Sequence, residues 1–231
     1  INIRRIKMSI TYLGHSCFLI EENNHKILID PFLICVPNFS FDGITDILVT
    51  HGHGDHLGSA IEISQKTGAK ITAIFELANY CNQKGANAQG IGFGSWIEYE
   101  WGKLIAVPAT HTSSTPDNIY AGNPCGFILD FGEFKIYHAG DTGLNSEMKI
   151  IGELYSPDVA MLPVGGFYTM DIEHAVIASK WLDSSVVIPM HYNTFEQIKV
   201  DIKDFERQIR SIGKMPLIMK IGETLQEPDI I

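Results

Sequence analysis

The chain has 231 residues, of which 45% are hydrophobic and 19% are charged, and its formal net charge is −10. A chain of this length can bury a core that needs no disulfide, and it favours one large domain over two. The excess of acidic residues argues against nucleic acid as the partner. No run approaches the roughly 18 consecutive apolar residues that span a bilayer, so we expect no membrane contact.

The cysteines and the first residues bear on compartment and domain limits. The four cysteines show no C-x-x-C spacing, so we expect reduced thiols rather than disulfides or a zinc knuckle. Residues 1–7 lack the apolar stretch of a signal peptide and precede a strand pattern that begins at Met8. We therefore interpret residues 1–7 as a leader or vector remnant, and residues 8–231 as a single domain of a cytoplasmic protein.

The first half of the chain is predicted to consist mainly of strands. A turn-forming Glu-Asn-Asn separates β-rich runs at Ser9–Ile20 and Lys26–Asp30, which predicts a hairpin. A buried strand over Ile47–Thr50 is followed by a predicted helix over Leu57–Lys66. The glycine-rich segment 85–94 is interpreted as a mobile surface loop. The remaining strands in this half are predicted at Ile71–Phe75, Trp96–Trp101, Leu104–Pro108, Cys125–Asp130 and Phe134–His138.

Helices and strands alternate after residue 141. The predicted helices are Ser146–Leu154, Ile172–Trp181 behind an Asp171 N-cap, and Ile198–Ile212. The predicted strands are Val159–Leu162, Val186–Pro189 and Leu217–Ile221. Two groups of strands with helices around them indicate the α/β (α+β) class, with two sheets packed face to face between outer helices. We therefore expect one four-layer domain.

Four candidate metal ligands occur within six residues. His51, His53, Asp55 and His56 directly follow the predicted buried strand and precede a helix. Imidazoles at i and i+2 together with an Asp-His pair can surround two ions if the loop turns sharply, which the intervening glycines permit. Mixed nitrogen and oxygen ligands suit borderline metals. A surface loop of solvated histidines is the alternative, but the position at a strand end argues against it.

This cluster resembles the H-x-H-x-D-H hallmark of the metallo-β-lactamase superfamily. A later His, Asp and His complete the family pattern, and Pro-Ala-Thr-His at His111, Gly-Asp-Thr at Asp141 and Pro-Met-His-Tyr at His191 match it in order. Segments 14–18 and 162–170 resemble a narrower group, the uncharacterised metal-dependent hydrolases near the L-ascorbate-6-phosphate lactonase branch. The resemblance implies a four-layer αββα sandwich of two mixed β-sheets.

The resemblance also implies a site for two divalent metal ions. Zn²⁺ or Mn²⁺ is expected, with Fe²⁺ or Ni²⁺ as alternatives. Two cations lower the pKa of a shared water and stabilise charge on the attacked group, which is the chemistry of hydrolysis. Asp55 and Asp141 are the expected catalytic residues, Asp55 because a carboxylate can orient the attacking hydroxide. The implied ligands are His51, His53 and His111 for one ion, Asp55, His56 and His191 for the other, and Asp141 between them.

Four further residues are weaker candidates for contact with the ligands or the substrate. The resemblance suggests that His15 approaches the site, although a strand histidine paired with backbone is an equal alternative. His138 stands where relatives such as glyoxalase II commonly carry serine, and we expect it to hydrogen-bond a ligand carboxylate. Gly166 and Thr169 precede a helix N-terminus, where free N–H groups favour an anionic group.

The leading hypothesis is a metal-dependent hydrolase of a small, anionic ester, lactone or phosphoester metabolite. One alternative is a phosphodiesterase or nuclease with the same ligands, which the acidic charge and the lack of a basic surface disfavour. Another is a metal-binding sensor without turnover. We expect a small-molecule partner rather than nucleic acid, and a homo-oligomer is compatible with a soluble enzyme of this size.

Overall fold

The computed structural model of the protein describes residues 8–227. The expectation for residues 1–7 lies outside the described residues. Two seven-stranded sheets account for the strands of this part of the chain. Each sheet has an antiparallel part and a parallel part, so both are mixed.

The first sheet is built mainly from the first ninety residues. Its strands lie in the order β14-β1-β2-β3-β4-β5-β6. Pairing is antiparallel from β14 to β3 and parallel from β3 to β6. The strands are β1 (Met8–Gly14), β2 (Cys17–Glu22), β3 (His25–Ile29), β4 (Asp46–Leu48), β5 (Lys70–Ile74), β6 (Ala88–Ile91) and β14 (Thr224–Gln226). Its helices are α1 (Gly54–Leu57), α2 (Ala60–Thr67) and α3 (Phe75–Gln83).

The second sheet is built from residues 96–216, and its strands follow one another in chain order. Pairing is antiparallel from β7 to β10 and parallel from β10 to β13. The strands are β7 (Trp96–Tyr99), β8 (Gly102–Pro108), β9 (Cys125–Asp130), β10 (Lys135–His138), β11 (Val159–Pro163), β12 (Val186–Met190) and β13 (Met215–Pro216). Its helices are α4 (Glu147–Tyr155), α5 (Ile172–Leu182) and α6 (Ile202–Ser211).

Alternation along the strands explains the four layers. In β2, Phe18 and Ile20 belong to the core between the sheets, whereas Cys17 and Leu19 belong to the core under α2 and α3. Because successive side chains of a strand point to opposite faces, one strand serves both cores. The sheets therefore carry apolar side chains on both faces, and the helices cover the outer ones. No helix within residues 8–227 is long and apolar enough to cross a membrane.

Three segments in the first half of the chain differ from the prediction. The run Ser9–Ile20 is two strands, because the backbone turns at His15, where φ is +56°. The segment 75–83 is helix α3, which sequence reasoning missed. The glycine-rich segment 85–94 contains β6 rather than only a loop. Gly90 is needed there for packing, since a Cβ atom would lie 2.9 Å from the Phe75 side chain.

The last two predicted elements also differ from the structure. Helix α6 begins at Ile202 rather than at residue 198, because the Asp201 side chain accepts a hydrogen bond from the Lys203 N–H and caps the helix. The predicted strand Leu217–Ile221 is wrong. The strand pairings occur on either side of it, where β13 joins β12 and β14 joins β1.

Candidate metal centre

The candidate ligands meet where strands of both sheets end. Segment 51–56 follows β4 in the first sheet, whereas His111, Asp141 and His191 follow β8, β10 and β12 in the second. Three groups of side chains have ligand atoms within 4.8 Å of one another. The groups are His51, His53 and His111; His15, Asp55, His56 and His191; and His51, His56 and Asp141.

The first group consists of three imidazoles. His51 Nε2 lies 2.9 Å from His53 Nδ1, and the His111 ring centre is 5.1 Å from that of His51. Burial lowers the pKa of each of these histidines, most strongly at His51. The three rings are therefore held neutral at neutral pH. A neutral imidazole has the nitrogen lone pair that a metal ion requires.

The second group combines imidazoles with the Asp55 carboxylate. Asp55 Oδ2 lies 3.2 Å from His15 Nε2 and 3.9 Å from His191 Nε2. Burial raises the pKa of Asp55, but the hydrogen bond with His15 and the charge of His56 outweigh burial and lower it below its usual range. Burial also lowers the pKa of His15, against the opposing effect of Asp55. This group therefore includes His15, for which the sequence left two alternatives.

Asp141 lies between the two groups. Its Oδ1 atom is 3.2 Å from His56 Nε2, and its Oδ2 atom is 3.0 Å from His191 Nε2 and 3.6 Å from His111 Nε2. Burial raises the pKa of this carboxyl, but His56 and His191 outweigh burial and hold the pKa well below the usual range. An ionised carboxylate with imidazoles close to both of its oxygens is a candidate metal ligand.

Buried polar atoms without partners support a metal site. Among the described residues, His56 Nε2, Asp141 Oδ1 and His191 Nε2 are buried and have no hydrogen-bond partner. Buried polar atoms without partners are costly, so such a cluster needs an explanation. Ligand atoms bonded to one ion at about 2.1 Å are roughly 3.0 Å apart in an octahedron and roughly 3.4 Å apart in a tetrahedron. The distances of 3.0 and 3.2 Å from Asp141 to His191 and His56 fit that range.

Asp30 supports the second group and was missed by sequence reasoning. Its Oδ2 atom lies 2.7 Å from His56 Nδ1 and accepts a 2.7 Å hydrogen bond from the Thr50 hydroxyl. Its Oδ1 atom accepts a 2.8 Å hydrogen bond from the Thr50 N–H. A carboxylate on the far nitrogen orients a ligating histidine. The available signal is that Asp30 directly follows β3, whose parallel neighbour β4 leads into the ligand loop.

The pKa of His56 reflects these carboxylates. Burial lowers the pKa of the imidazole, but Asp141 and Asp30, one on each ring nitrogen, outweigh burial and raise it well above 6.5. His56 is therefore the one member of the H-x-H-x-D-H loop for which the surroundings favour the protonated ring in the absence of another cation.

His138 does not contact a ligand carboxylate, which corrects the expectation for this residue. Its Nε2 donates to the Ser16 carbonyl at 2.9 Å, and its Nδ1 accepts from the Gly140 N–H at 3.2 Å. Both ring nitrogens are therefore occupied by backbone. The ring ties the loop before Asp141 to the first hairpin. Gly140 itself has φ +61°, and a Cβ atom there would lie 2.7 Å from the Cys125 carbonyl oxygen.

Gly166 and Thr169 do not offer free N–H groups to an anion, so that expectation is wrong. The Gly166 N–H donates to the Met170 carbonyl, and the Gly166 carbonyl accepts from the Thr169 N–H. The Thr169 hydroxyl donates to the Met170 carbonyl. The start of α5 is capped by Asp171, whose carboxylate accepts from the His174 N–H at 2.8 Å. The N–H groups of Gly166 and Thr169 are therefore used within the turn, and the cap places a negative charge at the helix N-terminus.

The cleft over the site contains two residues outside the predicted ligand set. Its volume is about 310 Å³. Tyr168, from the same turn as Gly166, and Thr112, which follows His111, contribute to its wall. The other lining residues are His53, Asp55, His111, Asp141 and His191. A substrate that enters this cleft therefore meets the candidate ligands directly.

Known proteins resemble the chain over most of its length. A sequence model described as Beta-lactamase superfamily domain matches residues 9–191. A UPF0173 metal-dependent hydrolase of Methanosarcina mazei is 41% identical over 230 residues, which cover 95% of this chain and 98% of that protein. One of Thermoplasma volcanium is 44% identical over 223 residues, with 95% and 99% covered. The structure of Igni18, a metallo hydrolase of Ignicoccus hospitalis, is 40% identical, with a TM-score of 0.85 and coverage of 95% and 98%.

These similarities agree with the architecture and with the position of the motifs. The expected metallo-β-lactamase sandwich is confirmed. The expected kinship with metal-dependent hydrolases is confirmed by relatives that match nearly the whole chain. The chain therefore belongs to the β-lactamase superfamily, in the group whose members are named UPF0173 metal-dependent hydrolases.

Proposed function

We propose that this metal-dependent hydrolase uses two divalent metal ions to cleave a small, anionic ester, lactone or phosphoester. The observation that carries the proposal is Asp141, a buried carboxylate that faces one imidazole of the first group and two of the second. A single carboxylate between two groups of candidate metal ligands is the arrangement that a two-ion hydrolase needs.

The candidate ligands would have different roles. His51, His53 and His111 would hold one ion, and Asp55, His56 and His191 would hold the other. Asp141 would contact both. Two bound ions would supply an activated water and would stabilise negative charge on the attacked group. Asp55 is more exposed than Asp141 and lines the cleft, so its carboxylate can accept a hydrogen bond from that water and orient it.

The nature of the substrate follows from charge and space. Two divalent ions would outweigh the Asp55 and Asp141 carboxylates, so the site attracts anionic groups. A cleft of about 310 Å³ is at the small end of ligand pockets, which favours a metabolite over a polymer. The net charge of −10 supports the same choice against RNA or DNA. The donor set contains no thiolate, which suits Zn²⁺ or Mn²⁺.

Turnover on a bond-type panel tests the proposal. Protein loaded with Mn²⁺ or Zn²⁺ is assayed on a phosphodiester, a lactone, a thioester and a β-lactam. We expect turnover of one class, loss of turnover on chelation, recovery on metal addition, and no turnover by Asp141→Asn. Turnover that survives complete metal removal would refute the proposal. Tight metal binding without turnover on any class would favour the sensor alternative.

A further inference from the structure

His15 occupies a buried position against the second ligand group. Its ring centre lies 4.2 Å from that of His191 and 5.7 Å from that of His56. The edges of Phe32 and Phe195 flank it at 5.4 and 5.3 Å. The side chain has no exposed surface. Two imidazoles and two phenyl rings therefore pack around His15.

The contacts of His15 suit the tautomer with its proton on Nδ1. The Thr194 hydroxyl donates to the Tyr192 carbonyl at 3.4 Å, which leaves its lone pairs free to accept. His15 Nδ1 lies 3.1 Å from that hydroxyl oxygen and can donate to it. In the neutral imidazole the other nitrogen, Nε2, then carries a lone pair. This nitrogen faces Asp55 Oδ2 at 3.2 Å.

A ring nitrogen and a carboxylate oxygen at that distance share either a proton or a metal ion. A lone pair and a carboxylate oxygen repel each other unless a proton or a metal ion lies nearby. The separation of 3.2 Å falls within the roughly 3.0–3.4 Å expected for two atoms bonded to one ion at about 2.1 Å. The ligand atoms of His15, Asp55, His56 and His191 all lie within 4.8 Å of one another.

The backbone also holds His15 at the site. It adopts φ +56°, and His191 adopts φ +53°, a region that residues other than glycine seldom occupy. The His15 carbonyl accepts from the His191 N–H at 2.8 Å and from the Tyr12 hydroxyl at 3.1 Å. Backbone strain that persists at a site indicates that the surrounding structure enforces the conformation. The two histidines are thus joined in one rigid unit.

We propose that His15 Nε2 is a further ligand of the second metal ion, beside Asp55, His56 and His191. This inference rests on the two-ion centre proposed above. The second ion would then have one more protein ligand than the first, which is held by three histidines and the shared Asp141. The second ion would therefore be retained more tightly than the first.

Metal content and a Co²⁺ spectrum test the inference. His15→Gln places an amide N–H within reach of Asp55 and preserves an orienting hydrogen bond, whereas His15→Asn is too short to reach but suits the left-handed backbone. Exposed His174 provides the matched control, His174→Gln. Each protein is equilibrated with Zn²⁺ against a competing chelator, its bound metal is counted, and the visible spectrum of its Co²⁺ form is recorded.

We expect two ions in the wild-type protein and in His174→Gln. Both His15 variants should bind the second ion more than 100-fold more weakly, beyond the roughly 10–100-fold loss that removal of an orienting residue causes, and both should show a changed Co²⁺ spectrum. A His15→Gln protein with wild-type affinity and spectrum would overturn the inference and leave His15 a positioning residue. A wild-type protein that binds only one ion would overturn the two-ion proposal as well. Unfolding temperatures of the metal-free variants identify any loss that comes from misfolding.

Discussion

The buried Asp30 carboxylate holds the second ligand group, and Asp30→Asn tests that role. Its Oδ1 atom accepts one hydrogen bond, and its Oδ2 atom contacts both His56 Nδ1 and the Thr50 hydroxyl. Asparagine keeps the first acceptor but replaces the second with an amide donor. Two hydrogen bonds to a charged group are lost, each worth about 1.5–3 kcal/mol. The Thr50 hydroxyl can reverse and accept, so we expect a net loss of about 3 kcal/mol.

The same substitution should weaken metal binding. An amide donor facing His56 Nδ1 favours the tautomer with its proton on Nε2, the atom that lies 3.2 Å from Asp141 Oδ1. The lone pair that would bind the metal is then lost. We expect affinity for one ion to fall about 10–100-fold, while the three-histidine group keeps the other.

Calorimetry and chelator competition measure both effects. A loss of about 3 kcal/mol in a domain of this size lowers the unfolding temperature by about 6–12 °C. The matched control is Asp130→Asn, where the carboxylate at the end of β9 accepts a hydrogen bond from the Gly132 N–H of a turn. We expect the control to bind both ions as the wild-type protein does. Wild-type metal affinity in Asp30→Asn would refute the argument that Asp30 sets the orientation of His56.

Three other predictions follow from the site and its supports. Gly140→Ala should lower the stability and weaken metal binding, because the new Cβ would collide with backbone. The control Gly132→Ala, with φ +93° but open space, should lose less stability, because it carries only the backbone strain. Equal losses of stability in calorimetry would contradict the steric argument. Because the pKa of His56 is raised above 6.5, metal binding near neutral pH should release its proton, and metal affinity should rise with pH. Titration calorimetry in buffers of different ionisation enthalpy measures the released protons, and a result of no release would contradict this prediction. Asp171→Ala should cost about 1 kcal/mol and leave the kinetic constants unchanged; a changed KM would instead show that the start of α5 contacts substrate.

Local patterns were sufficient for most strands and for the ligand loop. Strand β9 has the predicted bounds, because a continuous apolar run between turn residues is typical of a buried strand. The loop after β4 brings the rings of His51 and His53 into contact, because a sharp turn between residues two positions apart is enough to do so. The prediction for segment 85–94 was incomplete for the opposite reason, because Gly90 serves the packing of β6 on α3, which no local pattern reveals.

The sequence by itself determined the family, the two-sheet architecture and the motif residues, because these depend on short-range spacing and on the period of apolar residues. Only the tertiary structure decided which polar residues join the site from a distance. Asp30 and His15 reach it because the ends of neighbouring strands converge. Gly166 and Thr169 offer no free N–H group to an anion because both N–H groups donate to carbonyls of their own turn. These contacts depend on three-dimensional proximity and on which acceptors compete for each hydrogen-bond donor, and residue spacing predicts neither.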